Sequence, residues 1–255
     1  MTFLIAASTD IGIAKQTNQD GFLAKQISTC RGEMAFAVLC DGMGGLSKGE
    51  VASVTVLEAF RNWSETILPI FCENGITDAD IRREWTLLAR GCNEQIKAYG
   101  AKNGIRLGTT LTAMLITQTR YYVINVGDTR AYRIREELKL LTQDQTLVAR
   151  EVELGRLTEE EALIDPRRSV LLQCIGASDI VTPDFYFGDV LPDTVFLLCS
   201  DGFRHEIADW EIFQELQPAN MIYVDGMRQR LAGLISLNMQ RQERDNISAV
   251  AIRTI

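Results

Sequence analysis

The chain has 255 residues, 46% of them apolar and 24% charged, and a net charge of −8. That composition fits a soluble protein with one substantial core, and acidity without a basic cluster argues against a nucleic-acid partner. A single histidine, His205, excludes a His₂ or His₃ zinc site and an HExxH motif within one chain.

The chain opens on MTFLIAASTD, which lacks the basic flank and the length of a signal peptide, and no segment has the length of a membrane span. A cytoplasmic setting is therefore expected. Segment 3–8 (FLIAAS) is predicted as a strand, followed by a second at 34–40 (MAFAVLC). In 48–63, Ala52, Val56, Ala59, Phe60 and Trp63 recur at helical steps and form one apolar face. The next helix is expected from Asp78, as N-cap, to Gly100, as the residue just past its end. Strands follow at 109–117, 121–126 and 129–134. Short helices are expected between 143 and 168, where Thr158 and Glu161 have capping-box spacing. A strand at 194–200, a helix over 219–242 with an interruption at Gly226, and a strand at 246–254 complete the pattern. Hairpin-like connections and segregated helices argue an α+β fold, read as one domain over 1–255.

Six cysteines are present, Cys30, Cys40, Cys72, Cys92, Cys174 and Cys199, with no CxxC pair. Cys40 and Cys199 lie inside apolar runs and read as buried thiols of a reducing compartment. None of the six is followed six places later by Arg, so a cysteine-phosphatase loop is absent.

The carboxylates carry the chemistry. Three apolar runs end in an acid: AVLC at Asp41-Gly42, VINV at Gly127-Asp128, and FLLCS at Asp201-Gly202. Asp20 and Asp245 lie just before GFLAK and NISAVAI. Each Asp-Gly alone is ordinary turn chemistry. If the strand ends share one edge, however, five carboxylates converge. Two anions about 4 Å apart repel by about 4 kcal/mol at an effective dielectric of about 20. Such a group must protonate or bind cations, and oxygen donors alone select Mg²⁺ or Mn²⁺ over zinc. A glycine after Asp41 lets the backbone turn tightly enough for a carbonyl to join the donors. GMGGLSKG matches neither GxxxxGK[ST] nor GxGxxG, so it is discounted as a phosphate cradle.

With those residues in place, the chain resembles the metal-dependent serine/threonine protein phosphatases, type 2C, of bacterial kind. The blocks that carry the resemblance run in order along nearly the whole chain: TDIGIAKQTNQD (9–20), CDGMGG (40–45), GTTLTAMLI (108–116), NVGDTRAYRI (125–134), LTQDQTLV (141–148), LLCSDGF (197–203) and DNISAVAI (245–252). The resemblance implies a four-layer αββα sandwich of two antiparallel sheets flanked by helices, with a flap at about 143–175. It implies two or three Mn²⁺ or Mg²⁺ ions. Asp41 would bridge two of them, the Gly42 carbonyl would ligate one, and Asp201 and Asp245 would hold the other. Asp128 with Asp201 would hold a weaker third, and Asp20 would orient water. The implied reaction is hydrolysis of phosphoserine or phosphothreonine by direct attack of a water bridging two metals. The implied partners are phosphoproteins that are targets of a serine/threonine kinase, with no nucleic acid and no membrane. Alternatives are hydrolysis of another phosphate ester, or a non-catalytic phospho-binding or regulatory module on the same fold.

The sequence departs from the family pattern at several places. Lys15 stands where an Arg usually grips the substrate phosphate, and is expected to do so as a point charge, with a solvated lysine as the other reading. Met43 replaces a His found in many eukaryotic members, leaving the general acid unassigned. Gln19 stands where some members have Glu, and Gln145 replaces a His after Asp144. His205 reads as a structural histidine, with a place near a third metal or the leaving group as the other reading.

Overall fold

The computed structural model describes residues 1–43 and 48–255. The Gly44-Gly45 pair of the loop after Asp41 lies outside the described residues. Ten strands form two sheets. They are β1 (Phe3–Asp10), β2 (Gly21–Thr29), β3 (Gly32–Cys40), β4 (Leu111–Ile116), β5 (Arg120–Val126), β6 (Arg130–Ile134), β7 (Leu138–Leu140), β8 (Asp184–Asp189), β9 (Thr194–Cys199) and β10 (Ile247–Thr254). One sheet has the order β1-β10-β9-β6-β7 and the other β2-β3-β4-β5-β8, with all pairs antiparallel.

The continuously apolar strands are explained by burial on both faces. Along β3, Ala35, Ala37 and Leu39 point into the core between the sheets, while Phe36, Val38 and Cys40 point at helices. On β9 the same alternation sends Phe196 and Leu198 between the sheets and Val195, Leu197 and Cys199 outward. One helical layer is α1 (Gly49–Thr66), α2 (Leu68–Asn74) and α3 (Asp78–Asn103). It packs Trp63 against Trp85 edge-on, with ring centroids 5.5 Å apart, and both rings are buried over Phe36. The other layer is α6 (Asp201–Arg204), α7 (Asp209–Leu216) and α8 (Val224–Gln240), which covers β9 and β10 with Phe203, Ile212, Leu231 and Leu234. The result is the α+β fold that the sequence pattern predicts, in the four-layer αββα form that the family resemblance implies. Along the chain, between β7 and β8, come α4 (Leu147–Glu153) and α5 (Glu159–Ile164), and the Thr158–Glu161 capping box opens α5.

Register sets what meets at each end. Gly21 pairs with Cys40, which puts Asp20 beside Asp41. Cys199 pairs with both Ala249 and Arg130, so the end of β9 and the starts of β6 and β10 share one edge. At the opposite end the chain termini meet: Thr2 N donates to Ile255 O at 3.0 Å and Ile255 N to Thr2 O at 2.9 Å.

Several expected boundaries move. Strands β2, β7 and β8 are not among those expected. The N-cap of α3 is Thr77 rather than Asp78; its hydroxyl accepts from Asp80 N, and the Asp80 carboxylate accepts in return from Thr77 N. The helix runs through Gly100, where a Cβ would stand 2.7 Å from Ile105 O, and ends at Gly104 with φ +64. Gly226 sits in the first turn of α8 and interrupts nothing, while the chain before it makes a 3₁₀ turn at Pro218–Asn220. All six cysteines are free, and among the described residues no helix is long and apolar enough to cross a membrane.

Candidate metal centre

All five carboxylates singled out above reach the same edge of the sandwich, together with Gly42 and Lys15. Burial first, and then the charges of Asp20, Asp201, Asp128 and Asp245, push the Asp41 carboxyl well above the usual range. Asp41 keeps part of its surface open, although protein surrounds its carboxyl. Its backbone is fixed on β4: Asp41 N donates to Thr110 Oγ1 at 2.9 Å, and Thr110 N and Thr109 Oγ1 both donate to Asp41 O at 2.9 Å. Gly42 then passes so close to the neighbouring chain that a Cβ would sit 2.6 Å from Gln19 O.

Asp20 also bears electrostatic strain. Both of its carboxylate oxygens are buried without a hydrogen-bond partner. Burial, joined by Asp201 and Asp245, raises it to about 7. The hydroxyls of Ser248 and Ser200 pull the other way, but neither meets Asp20 at normal hydrogen-bond geometry. Asp201 Oδ1 is likewise buried and unpartnered.

Lys15 lies among these acids. Its Nζ is 2.7 Å from Asp245 Oδ1, and the two side chains are 29% and 38% exposed. Burial works against the ammonium, yet the bond to Asp245 and the charges of Asp41 and Asp201 outweigh it and hold Lys15 above its ordinary value. As placed, the carboxylates share a field without closing on one point: among the described residues no three His, Cys, Asp or Glu groups are clustered as a ready ligand set. The donors nevertheless fit a hard divalent ion. They are all oxygens, and three of them are orphaned in the interior, where an unpaired charge costs several kcal/mol unless a cation meets it. Binding would require Lys15 to release Asp245.

Asn246 and Glu243, which drew no attention in the sequence, build the frame together with Gly202 and His205. Asn246 accepts from Gln19 N at 2.9 Å and donates to Ile11 O and Thr17 O at 2.9 and 3.3 Å, pinning the loop that carries Lys15 and Asp20 onto the start of β10. A Cβ on Gly202 would meet Asn246 O at 2.3 Å, so Asp201-Gly202 can approach this turn only without a side chain. Buried Glu243 accepts from Arg244 N and Asp245 N at 2.7 and 2.8 Å and shapes the Asp245 turn. His205 Nδ1 lies 3.3 Å from Glu243 Oε2, and Nε2 lies 3.7 Å from Asp201 Oδ2. Burial lowers His205, but Glu243 and Asp201 more than offset this and leave it raised.

A second network surrounds Asp128. Gln145 Oε1 accepts from Gly127 N at 2.8 Å, Gln145 N donates to Gly127 O at 3.0 Å, and Gln145 Nε2 donates to Asp184 Oδ2 at 2.7 Å. Asp144 takes a bidentate pair from Arg130, both bonds 2.8 Å. Arg204 Nη2 donates to Asp144 Oδ2 at 3.2 Å and to the Asp128 carbonyl at 3.1 Å. Burial would raise Asp144, but the two guanidinium groups outweigh it and hold it low. Asp128 itself is raised to about 7 by burial and Asp201, against the pull of Arg204. The signal missed in the sequence was pairing over distance: Arg204 and Asp144 are 60 residues apart.

A sandwich of this kind with an acidic edge is the frame of a metal-dependent phosphohydrolase. The model of the protein phosphatase 2C family matches residues 13–235, and the chain belongs to that family. It is 31% identical over 248 residues to the serine/threonine protein phosphatase PstP of Mycobacterium tuberculosis, covering 96% of this chain and 44% of that one. The chain thus spans less than half the length of that relative. The structure of the S. agalactiae serine/threonine phosphatase superposes with a TM-score of 0.84 at 28% identity, over 100% of both chains. The catalytic domain of PstP in complex with two manganese ions superposes with a TM-score of 0.79 at 27% identity, again over 100% of both.

Proposed function

We propose that this chain is a metal-dependent phosphatase that hydrolyses phosphoserine and phosphothreonine in proteins, using Mn²⁺ or Mg²⁺. The observation that carries the reading is the three buried, unpartnered carboxylate oxygens at one sheet edge, the two of Asp20 and Oδ1 of Asp201. Family membership and the manganese complex of a relative's catalytic domain support it.

Asp41, the Gly42 carbonyl, Asp201 and Asp245 would hold two ions, and Asp128 with Asp201 are the acids a third would use. When bound, the ions would supply a nucleophilic water near neutral pH and offset charge on the phosphoryl oxygens. The chain's own groups do the rest. Asp20 has both oxygens free to accept from a water and so orient it. Lys15, released from Asp245, meets the substrate phosphate as a point charge. Thr109 and Thr110 hold the Asp41 backbone still, and Asn246 holds Asp20 and Lys15 against Asp245. No covalent enzyme intermediate is required. The natural substrates are the targets of a serine/threonine kinase, met in the cytoplasm.

The test is phosphate release from a phosphothreonine peptide with no metal, with Mn²⁺, and with Mn²⁺ plus chelator. Release only with free Mn²⁺, and its loss in Asp41→Ala, is the expected result. Chelator-resistant release, or full activity of Asp41→Ala, would overturn the reading.

A further inference from the structure

The acids at the Asp128 end of the centre are not alone. Arg204 is the last residue of α6, three positions after Asp201, and its side chain is only 13% exposed. It is held from two sides, by Asp144 Oδ2 at 3.2 Å and by the Asp128 carbonyl at 3.1 Å. Its Nη2 lies 4.0 Å from Asp128 Oδ2, and its Nε is buried with no partner. Asp144, in turn, is locked by the bidentate bond from Arg130, so Arg204 cannot swing away without breaking a buried pair.

A guanidinium cannot lose its proton in a protein. A permanent positive charge therefore stands against the carboxylate that a third divalent ion would need. Lys15 differs: it is more exposed, sits on one acid, and can leave it. We propose that Arg204 is a resident cation that takes the place of a third metal beside Asp128, so that this chain loads two divalent ions and Asp128 serves as the counter-ion of Arg204. The inference rests on the metal-centre reading above. It accounts for Asp144 and Arg130 as positioning residues that keep the guanidinium in place.

The test is Mn²⁺ binding to the full chain, counted by titration calorimetry and by the spin-resonance signal of free Mn²⁺, with folding of every variant checked by circular dichroism. The wild-type chain is expected to bind two ions, and Asp128→Asn is expected to leave that number unchanged. Arg204→Ser is expected to gain one weaker site, which Arg204→Lys does not gain and which the double variant Arg204→Ser/Asp128→Asn loses. Three ions in the wild type, falling to two in Asp128→Asn, would overturn the proposal while leaving the metal centre standing. A folded Arg204→Ser that gains no site would also overturn it. Should Arg204→Ser not fold, the wild type and Asp128→Asn decide alone. No Mn²⁺ binding by the wild type would overturn both this proposal and the metal centre.

Discussion

Lys15 Nζ and Asp245 Oδ1 form an ion pair of 2.7 Å across the acidic edge, joining the residue expected to bind phosphate to one expected to bind metal. The pair is partly exposed, so its net strength is about 0.2–1 kcal/mol. Replacing Lys15 by Met removes a competitor for Asp245 and a contact for phosphate together. Mn²⁺ should then bind roughly 2- to 5-fold more tightly while the Michaelis constant for a phosphopeptide rises. Metal titration alongside steady-state kinetics would separate the two, and a shift of both in the same direction would count against a shared role. Lys15→Arg should instead lower the Michaelis constant, because a guanidinium fork grips phosphate through two bonds.

Asn246 is a structural pin. Its amide satisfies one backbone donor and two backbone carbonyls of the loop ahead of Asp20. Asn246→Ala leaves these partly buried groups unmet and should cost about 1 kcal/mol or more of stability, read as a lowered midpoint in urea. Asn246→Asp keeps the acceptor for Gln19 N but loses both donated bonds and adds charge beside Asp245. It should therefore destabilise the metal-free protein more at pH 8 than at pH 5.

Gln145 holds the Gly127-Asp128 turn by its side chain and its backbone. Gln145→Ala strands the Gly127 N–H and frees Asp184, for a cost of about 1–3 kcal/mol. Gln145→Glu keeps the acceptor but sets a carboxylate against Asp184. Thermal melts should rank the wild type above both, and equal melting of all three would show that the turn is held by the backbone bond alone.

Acid should stabilise the metal-free protein over a defined window. The folded values of Asp20 and Asp128, about 7, lie above their ordinary 3.8. Raised carboxylates contribute stability that is complete below the unfolded value and is lost as pH rises through the folded one. His205, also raised, acts in the same direction. Asp144 and Glu243, both lowered, act only in stronger acid. In chelator the unfolding free energy should therefore climb from pH 8 to pH 5, by at most about 1.4 kcal/mol per proton per pH unit, and the melting temperature should rise with it. Saturating Mn²⁺ should flatten it. A metal-free protein equally stable at both pH values would mean that these acids are not buried together.

The sequence disclosed what two-sided burial makes conspicuous. β3, β5 and β9 read as apolar runs because both faces are covered, and the acids at their ends follow from that reading. β2 escaped because GFLAKQIST is an edge strand, paired on one side only, whose Lys25 and Gln26 break the apolar pattern. β8, DFYFGD, is the opposite edge of the same sheet, paired only with β5, and is short. Thr77 and Asp78 are both good caps, and only the reciprocal bond with Asp80 distinguishes them. Gly100 mimicked a helix end because glycine also serves close approach, here to the chain returning at Ile105. In the centre, the Asp-Gly pairs were legible, but Asn246, Gln145 and Arg204 act through partners 18 to 235 residues away, which no local pattern marks.

The meeting of Thr2 and Ile255 has its own consequence. β1 and β10 pair along their whole length, so the two termini lie side by side at the end of the sandwich farthest from the acids. The fold is topologically a ring with one cut in it. A few Gly and Ser residues joining 255 to 1 would close that ring, and a new opening at the exposed turn of Glu136 and Glu137 would leave every strand end that carries an acid continuous. For the same reason, any sequence fused before Met1 or after Ile255 would emerge from one place, on the side opposite the chemistry.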